Sequence, residues 1–335
     1  MRTFPPEDLA RALHGRLAHA FWLHRPRVDV TLTGTKVHAT SAARRCTTSC
    51  YDTNGAEFLT AFHGEQGEPA WGRTSSRIDA VAVVRMWLGG ATLLDLVDRY
   101  PFVDARKRAF EEIDRAVQRA DARIAARVTS EIVHEMCDLH HMRMTDGDRA
   151  IRLEFYGRNP HPDAYLLWDE CTMAQTTVLY PPTFAAIVRR WLVDHAPPSV
   201  MQSDFPWLVV RPEAAYYEAG RPIEGEFLVT WDRMEDYYAD FGAEASAILS
   251  FLATLRAGGH ASALRAGKSR QSVLLSRSRR HGLRSEQPYV RLQFHPGTVR
   301  ADAPFIGVRD LQSPLTAPSQ QFIDLLQALA ALPID

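Results

Sequence analysis

Lysine is nearly missing from this chain: Lys36, Lys107 and Lys268 stand against 36 arginines among 335 residues. The planar guanidinium grips carboxylates and phosphates through paired hydrogen bonds, so the bias suits anion recognition, but a GC-rich coding bias is the plainer source of it. Cysteine is scarce as well. Cys46, Cys50, Cys137 and Cys171 are too few to staple a chain of this length, and reduced thiols are expected. Nowhere do about 18 uncharged apolar residues follow one another, which excludes a membrane-spanning helix. The stretch from Met1 to Arg27 patterns as an amphipathic helix broken by Arg11, His14, Arg16 and His19, unlike the apolar core of a signal peptide. A soluble, cytoplasmic protein with no membrane partner is expected. Net charge is small too: the formal −1 gives no global field to recruit nucleic acid, so any such binding needs a local patch.

The motifs of common chemistries are also missing. No Gly-x-Ser-x-Gly nucleophile elbow occurs, and neither the P-loop nor the dinucleotide fingerprint is present. Gly258-Gly259 fits the end of a helix better than a phosphate cradle. The carboxylates at Glu111–Glu112 and Glu235–Asp236 pattern as exposed faces. No cofactor is implied, and the chain is expected to be non-catalytic.

What remains is an ordinary globular composition, 46% hydrophobic and 24% charged. A first helix is predicted over Pro6 to Trp22, with Leu9, Leu13, Leu17 and Phe21 on one face. Antiparallel strands are expected at Arg27–Leu32, Lys36–Thr40 and Glu57–His63, and a helix capped by Ser76 runs to Leu88 with Ile78, Val81, Val84 and Leu88 inward. A charged helix then covers Ala105 to Val133. Strands follow at Leu139–Met144, Ala150–Tyr156 and Tyr165–Glu170, and Pro182 opens a helix carrying Ile187, Val188 and Trp191.

The order repeats, and so do residues. Val83-Val84-Arg85-Met86-Trp87-Leu88 answers Ile187-Val188-Arg189-Arg190-Trp191-Leu192, and Tyr100-Pro101-Phe102 answers Phe205-Pro206-Trp207. Trp87 and Pro101 lie 14 positions apart, Trp191 and Pro206 15, giving a duplication with a period near 104. The two tryptophans are expected in the core. A weaker third copy has a helix over Phe241–Leu255, strands at Gln271–Arg277, Tyr289–His295 and Thr298–Phe305, and a helix over Pro318–Leu332. The expected class is α+β: tandem helix–antiparallel sheet–helix units, three in number, the first two an internal duplication. Their bounds are 1–104, 105–212, and 213–335, the last beginning with an acidic, aromatic connector, Glu213 to Asp240.

Two constellations draw attention. His134, Cys137, His140 and His141 are metal-type ligands, but they cross a helix-to-strand boundary, so the side chains are expected to splay and no metal is assigned. From Leu264 to Arg291 eight basic residues face a single acid, so this stretch carries +7 and the rest of the chain −8. At its centre a hairpin loop presents Arg277, Arg279, Arg280, His281 and Arg284, with Arg291 on the returning strand. The cluster either binds an anionic partner (a protein or peptide, or a small anion) or pairs internally with the Glu213–Asp240 segment.

Trp71-Gly72-Arg73-Thr74, the helix from Val83 to Leu88 with its late tryptophan, and Leu94 to Val103 ending in Tyr-Pro-Phe-Val resemble an actinobacterial family of unknown function labelled as natural-product-biosynthesis proteins. The resemblance covers roughly Val28 to Asp114, with a fainter echo in the second copy. It transfers no catalytic residue and implies an accessory protein of specialised metabolism. The expected function is therefore recognition of an anionic partner, such as a precursor peptide, through the arginine loop. The alternative is a transferase-like enzyme acting on an anionic substrate at an inter-domain cleft.

Overall fold

The computed structural model describes residues 5–22, 28–41, 44–52, 56–64, 70–136, 139–156, 159, 161–269, 272–279 and 287–334. The first segment folds as α1 (Pro6–Trp22), β1 (Asp29–Thr33), β2 (Lys36–Thr40), β3 (Arg45–Asp52), β4 (Ala56–His63), β5 (Ala70–Thr74), α2 (Arg77–Leu88) and α3 (Leu93–Arg99). The second adds α4 (Ala105–Ala120), α5 (Ala122–Arg127), β6 (Thr129–Met136), β7 (Leu139–Asp146), β8 (Arg149–Glu154), β9 (Asp163–Trp168), β10 (Cys171–Thr177), α6 (Pro181–Val188), α7 (Pro198–Asp204) and β11 (Val209–Val210). The third comprises α8 (Glu213–Glu218), α9 (Pro222–Ala239), α10 (Ser246–Ala257), α11 (His260–Ala263), β12 (Arg265–Ser269), β13 (Ser272–Ser276), β14 (Tyr289–His295), β15 (Thr298–Ala303), β16 (Val308–Pro314) and α12 (Gln320–Ala330). The class is α+β. Each of the three sheets keeps its strands in chain order: β1 to β5, β6 to β11 and β12 to β16. Compactness divides the chain into two units, 1–144 with 153–163 and 178–185, and 145–152 with 164–177 and 186–335.

Within the first unit Leu9, Leu13, Leu17 and Phe21 of α1 are buried, as their fourfold spacing requires. Ser76 caps α2 by accepting the amide of Asp79. Val84 and Leu88 of α2 are buried as expected and Val81 packs against the core, but Ile78 is 72% exposed, and Ala80, Val83 and Trp87 complete the buried face. The helix phases on its largest side chain, Trp87, which leaves Ile78 outside in the first turn. The expected helix from Ala105 to Val133 also stops early. Asp121 and Val128 are extended, and the β-branched run from Thr129 onward pairs as β6. In the third sheet β12 and β16 are edge strands with polar sequences, and β10 is polar too, so none has a strand-like alternation.

In the second unit the acidic segment is not a linker. It folds as α8 and α9, and Phe227, Val229, Trp231 and Met234 of α9 are buried. Trp231 donates its indole N–H to Leu264 O at 2.7 Å, and Thr230 Oγ1 accepts the Ala266 amide at 3.0 Å. These two bonds hold α9 against β12. Gly242, with φ +60°, breaks the helix expected over Phe241–Leu255 into a 3-10 turn at Gly242–Ala245 and α10.

The duplicated residues play the same parts. Trp87 donates to Arg45 O at 3.3 Å and Trp191 to Ala150 O at 3.0 Å, each at the start of the third strand of its sheet. The preceding arginines cover the rings, Arg44 4.4 Å from Trp87 and Arg149 4.0 Å from Trp191. Each then reaches the end of the tryptophan helix: Arg44 donates to Trp87 O and Ala91 O, Arg149 to Ala196 O. Downstream, Tyr100 and Phe205 bond back to Leu96 O and Met201 O. The single-residue difference in spacing has a local cause. In the second copy the helix widens to a π-helical turn at Arg189–Val193, which accommodates one extra residue before Ala196.

Candidate functional site

The arginine loop is divided among separate tasks. Arg277 donates to Leu332 O at 2.8 Å and to Ala263 O at 2.9 Å, so it ties helix ends together. Arg279 turns to carboxylates, Glu226 at 2.8 Å and Asp169 at 3.0 Å. Arg291 lies beside Tyr289, its guanidinium 5.6 Å from the ring centre. Arg280, His281 and Arg284 lie outside the described residues. The β13–β14 pairing has the expected alternation: Val273, Leu275, Val290 and Leu292 are fully buried.

Arg279 leads to a cavity of about 400 Å³ in the second unit. One wall is α9, where Glu226, Thr230 and Arg233 share a face at helical spacing. Gly225 makes this wall possible. A Cβ there would sit 2.3 Å from Tyr216 Cβ, so only glycine lets α8 and α9 approach so closely. That approach brings Tyr217 to Glu226, to which its hydroxyl donates. A second wall is the β9–β10 turn, Asp169-Glu170, followed by Cys171. Both turn residues have positive φ, 46° and 65°, a conformation in which non-glycine residues are strained. Asp169 is fastened by Arg279, and Glu170 faces the cavity. Arg265 on β12 and Arg211 after β11 complete the lining.

The charges follow from burial. Glu213 and Glu226 are each only 4% exposed. Arg233 donates to Glu213, and Arg279 to Glu226, so two ion pairs are built into the walls. Burial opposes the charge on Arg279, but the hydrogen bond and charge of Glu226 prevail and its pKa moves up. Burial, with the hydrogen bond to Glu226 added, likewise raises the Tyr217 hydroxyl. Cys171 is pushed up to about 12 by burial and then by the charges of Glu226 and Glu213, so its thiol stays protonated at neutral pH. Arg211 donates to Gln175.

Arg265 differs. Burial lowers its pKa, Glu226 partly offsets this, and Arg233 adds to it. Among the described residues its guanidinium has no ion pair and no side-chain hydrogen bond. The cavity therefore holds a partly buried cation whose counter-charge comes from no neighbour in contact with it.

Of the loop's basic residues that the structure describes, Arg277, Arg279 and Arg291, it is Arg279 that lines this cavity. Arg265 belongs to the same basic stretch but was not placed in the loop cluster. The Glu213–Asp240 segment is one of the two partners expected of the arginine loop, and Glu226 fills that part, but Glu213, Glu226, Arg233 and Tyr217 were not singled out within it. One signal was available: Phe227, Trp231, Met234 and Tyr238 mark the buried stripe of α9, and Glu226, Thr230 and Arg233 each precede a member of it. The histidine cluster requires a correction. His134 on β6 and His140 on β7 do not splay; their ring centres lie 4.8 Å apart, the planes tilted by 42°, with Trp71 5.8 Å from His134. The strands, not a helix, set this geometry. Cys137 lies outside the described residues, and no set of three metal-type ligands converges among the described residues. Cys46 and Cys50 are free, buried thiols on one face of β3.

Comparison of the chain with protein-family models, with curated proteins and with solved structures finds no match. Among the described residues no helix is long and apolar enough to cross a membrane.

Proposed function

We propose that this chain is a non-catalytic binding protein that receives an anionic group, a carboxylate or phosphate of a small ligand or of a peptide, in the cavity beside α9. The observation that carries this reading is Arg265, a partly buried guanidinium with no ion pair among the described residues, at a cavity where Glu213 and Glu226 are already taken by Arg233 and Arg279. A buried charge without a partner is costly, and an anion at about 4 Å recovers roughly 4 kcal/mol at an effective dielectric of 20. Arg211 stands at the same cavity as a second donor. The protonated thiol of Cys171 directs the reading away from nucleophilic catalysis. Arg279 belongs to the walls rather than to the binding surface. On this reading, and in line with the resemblance of residues 28–114, the chain would serve in the cytoplasm as an accessory to natural-product biosynthesis, with a precursor peptide as partner.

The test is calorimetric titration of the full chain with inorganic phosphate and with a short acidic peptide. Arg265→Ala should weaken the better of the two at least tenfold at low salt, and the loss should shrink at high salt. Equal binding by the wild type and Arg265→Ala would reject the site.

A further inference from the structure

The first unit holds a second cavity, of about 510 Å³, formed by the end of α1, one face of α2 and the end of α3. Phe21, Met86 and Tyr100 give it an apolar surface, and Arg85 and Arg99 line it with charge. The duplication shows what this corner contains when it is filled from within. Trp87 corresponds to Trp191 and Tyr100 to Phe205, so Arg85 corresponds to Arg189, Met86 to Arg190 and Arg99 to Asp204. The helix ends correspond as well, Gly89 to Asp194.

In the second copy the corner is an ion-pair network. Arg190 donates to Asp204 through two nitrogens, at 2.9 and 2.7 Å, and lies 3.5 Å from Asp194, which is also 3.6 Å from Arg189. Two carboxylates thus answer two guanidinium groups. The first copy removes both carboxylates. Glycine replaces Asp194, arginine replaces Asp204, and methionine replaces Arg190. Arg85 and Arg99 have no ion pair or side-chain hydrogen bond among the described residues, and the changed positions leave a cavity with an apolar wall.

We infer that this cavity is a binding site for a small amphipathic carboxylate, an acid with an apolar chain or ring. Its head takes the place that Asp204 and Asp194 fill in the second copy, between Arg85 and Arg99. Its body lies on Phe21, Met86 and Tyr100. The cavity falls within the range of small-molecule sites, and its composition, mainly apolar with a few polar groups to fix orientation, is typical of them. Two guanidinium groups supply the head contact and the apolar wall rewards the tail, so neither half of the ligand should suffice. The site is separate from the cavity beside α9 and does not depend on it.

The experiment is titration of the full chain with sodium octanoate, with acetate as the head alone and octan-1-ol as the tail alone. Octanoate should bind at least tenfold tighter than either. Arg85→Ala with Arg99→Ala should remove that preference, and these side chains are exposed enough for the fold to survive. A second variant, Met86→Arg with Arg99→Asp, copies the ion pair of the second unit. It should abolish octanoate binding while its unfolding midpoint stays level or rises. Arg265→Ala should leave octanoate binding untouched, which separates this site from the one beside α9. Octanoate binding no tighter than acetate, or binding retained at full strength by both double variants, would overturn the inference.

Discussion

Arg149 shows how little a residue's type alone reveals of its work. It is 3% exposed, with its guanidinium 3.9 Å from the centre of Trp168 and 4.0 Å from Trp191, and it closes the helix end through Ala196 O. Burial pushes its pKa down to about 10, against the opposing charges of Asp148 and Glu218. The planar group is what fits between two indoles; an ammonium on a flexible stem does not. Arg149→Lys is therefore expected to destabilise the protein by about 1–3 kcal/mol, the range for breaking a buried polar contact. Arg44→Lys should cost less, because Arg44 is only part-buried and covers one ring. Thermal unfolding of the two variants checks the order, and equal losses would mean that stacking contributes little. The tryptophans of this arrangement were legible in the sequence because they recur in matched helical strings. The arginines were not, because a residue at the entrance to a strand, as Arg44 before β3 and Arg149 opening β8, has no pattern to mark it.

Among the elements, helices with one broad apolar face were readable, as α1 and α12 show, since burial of that face dictates the period. The edge strands β12 and β16, with polar sequences, were not. β12, with sequence Arg-Ala-Gly-Lys-Ser, is a strand because β13 and the two bonds from α9 hold it there. The cavity beside α9 suffers the same blindness, because its residues come from α9, β12 and the β9–β10 turn. That turn offers a test at this scale. Two-residue hairpin turns with both residues at positive φ favour Asn-Gly, and here Asp-Glu is used, with Glu170 facing the cavity. Replacing Asp169-Glu170 by Asn-Gly should relieve strain and stabilise the fold by about 1 kcal/mol, with part of the gain offset by weakening the contact to Arg279. If the turn is strained for the sake of the cavity, the same variant should alter anion affinity. A lower melting point would show that the Arg279 contact outweighs the strain.

At the scale of the whole molecule the class, the three sheets and the matched tryptophan helices followed from periodicity and internal repetition. Pairing of the arginine loop with the Glu213–Asp240 segment was one of two alternatives the charges offered, and Arg279 with Glu226 realises it; the share of Asp169 did not follow, because it joins a segment far away in the chain. A buried histidine in one unit and a half-buried one in the other give each a sensitivity to acid that composition also conceals. His260 opens α11 at 8% exposure, and burial holds its pKa below the ordinary value. His63, paired across strands with Arg45, is lowered by burial and then by the Arg45 charge. In the unfolded chain both titrate near the ordinary value of about 6.5. Between that value and the lower folded pKa, the unfolded state carries more protons, so stability falls as pH drops through this window and is unaffected by these groups well above it. The urea midpoint should hold steady from about pH 8 to pH 7 and decline toward pH 5, above the range where carboxylates dominate. His63→Gln and His260→Gln, which have nothing to protonate, should each flatten part of the decline, and the double variant should flatten more than either. A wild-type midpoint that is level down to pH 5, or a double variant with the full wild-type slope, would show that neither histidine is linked to folding.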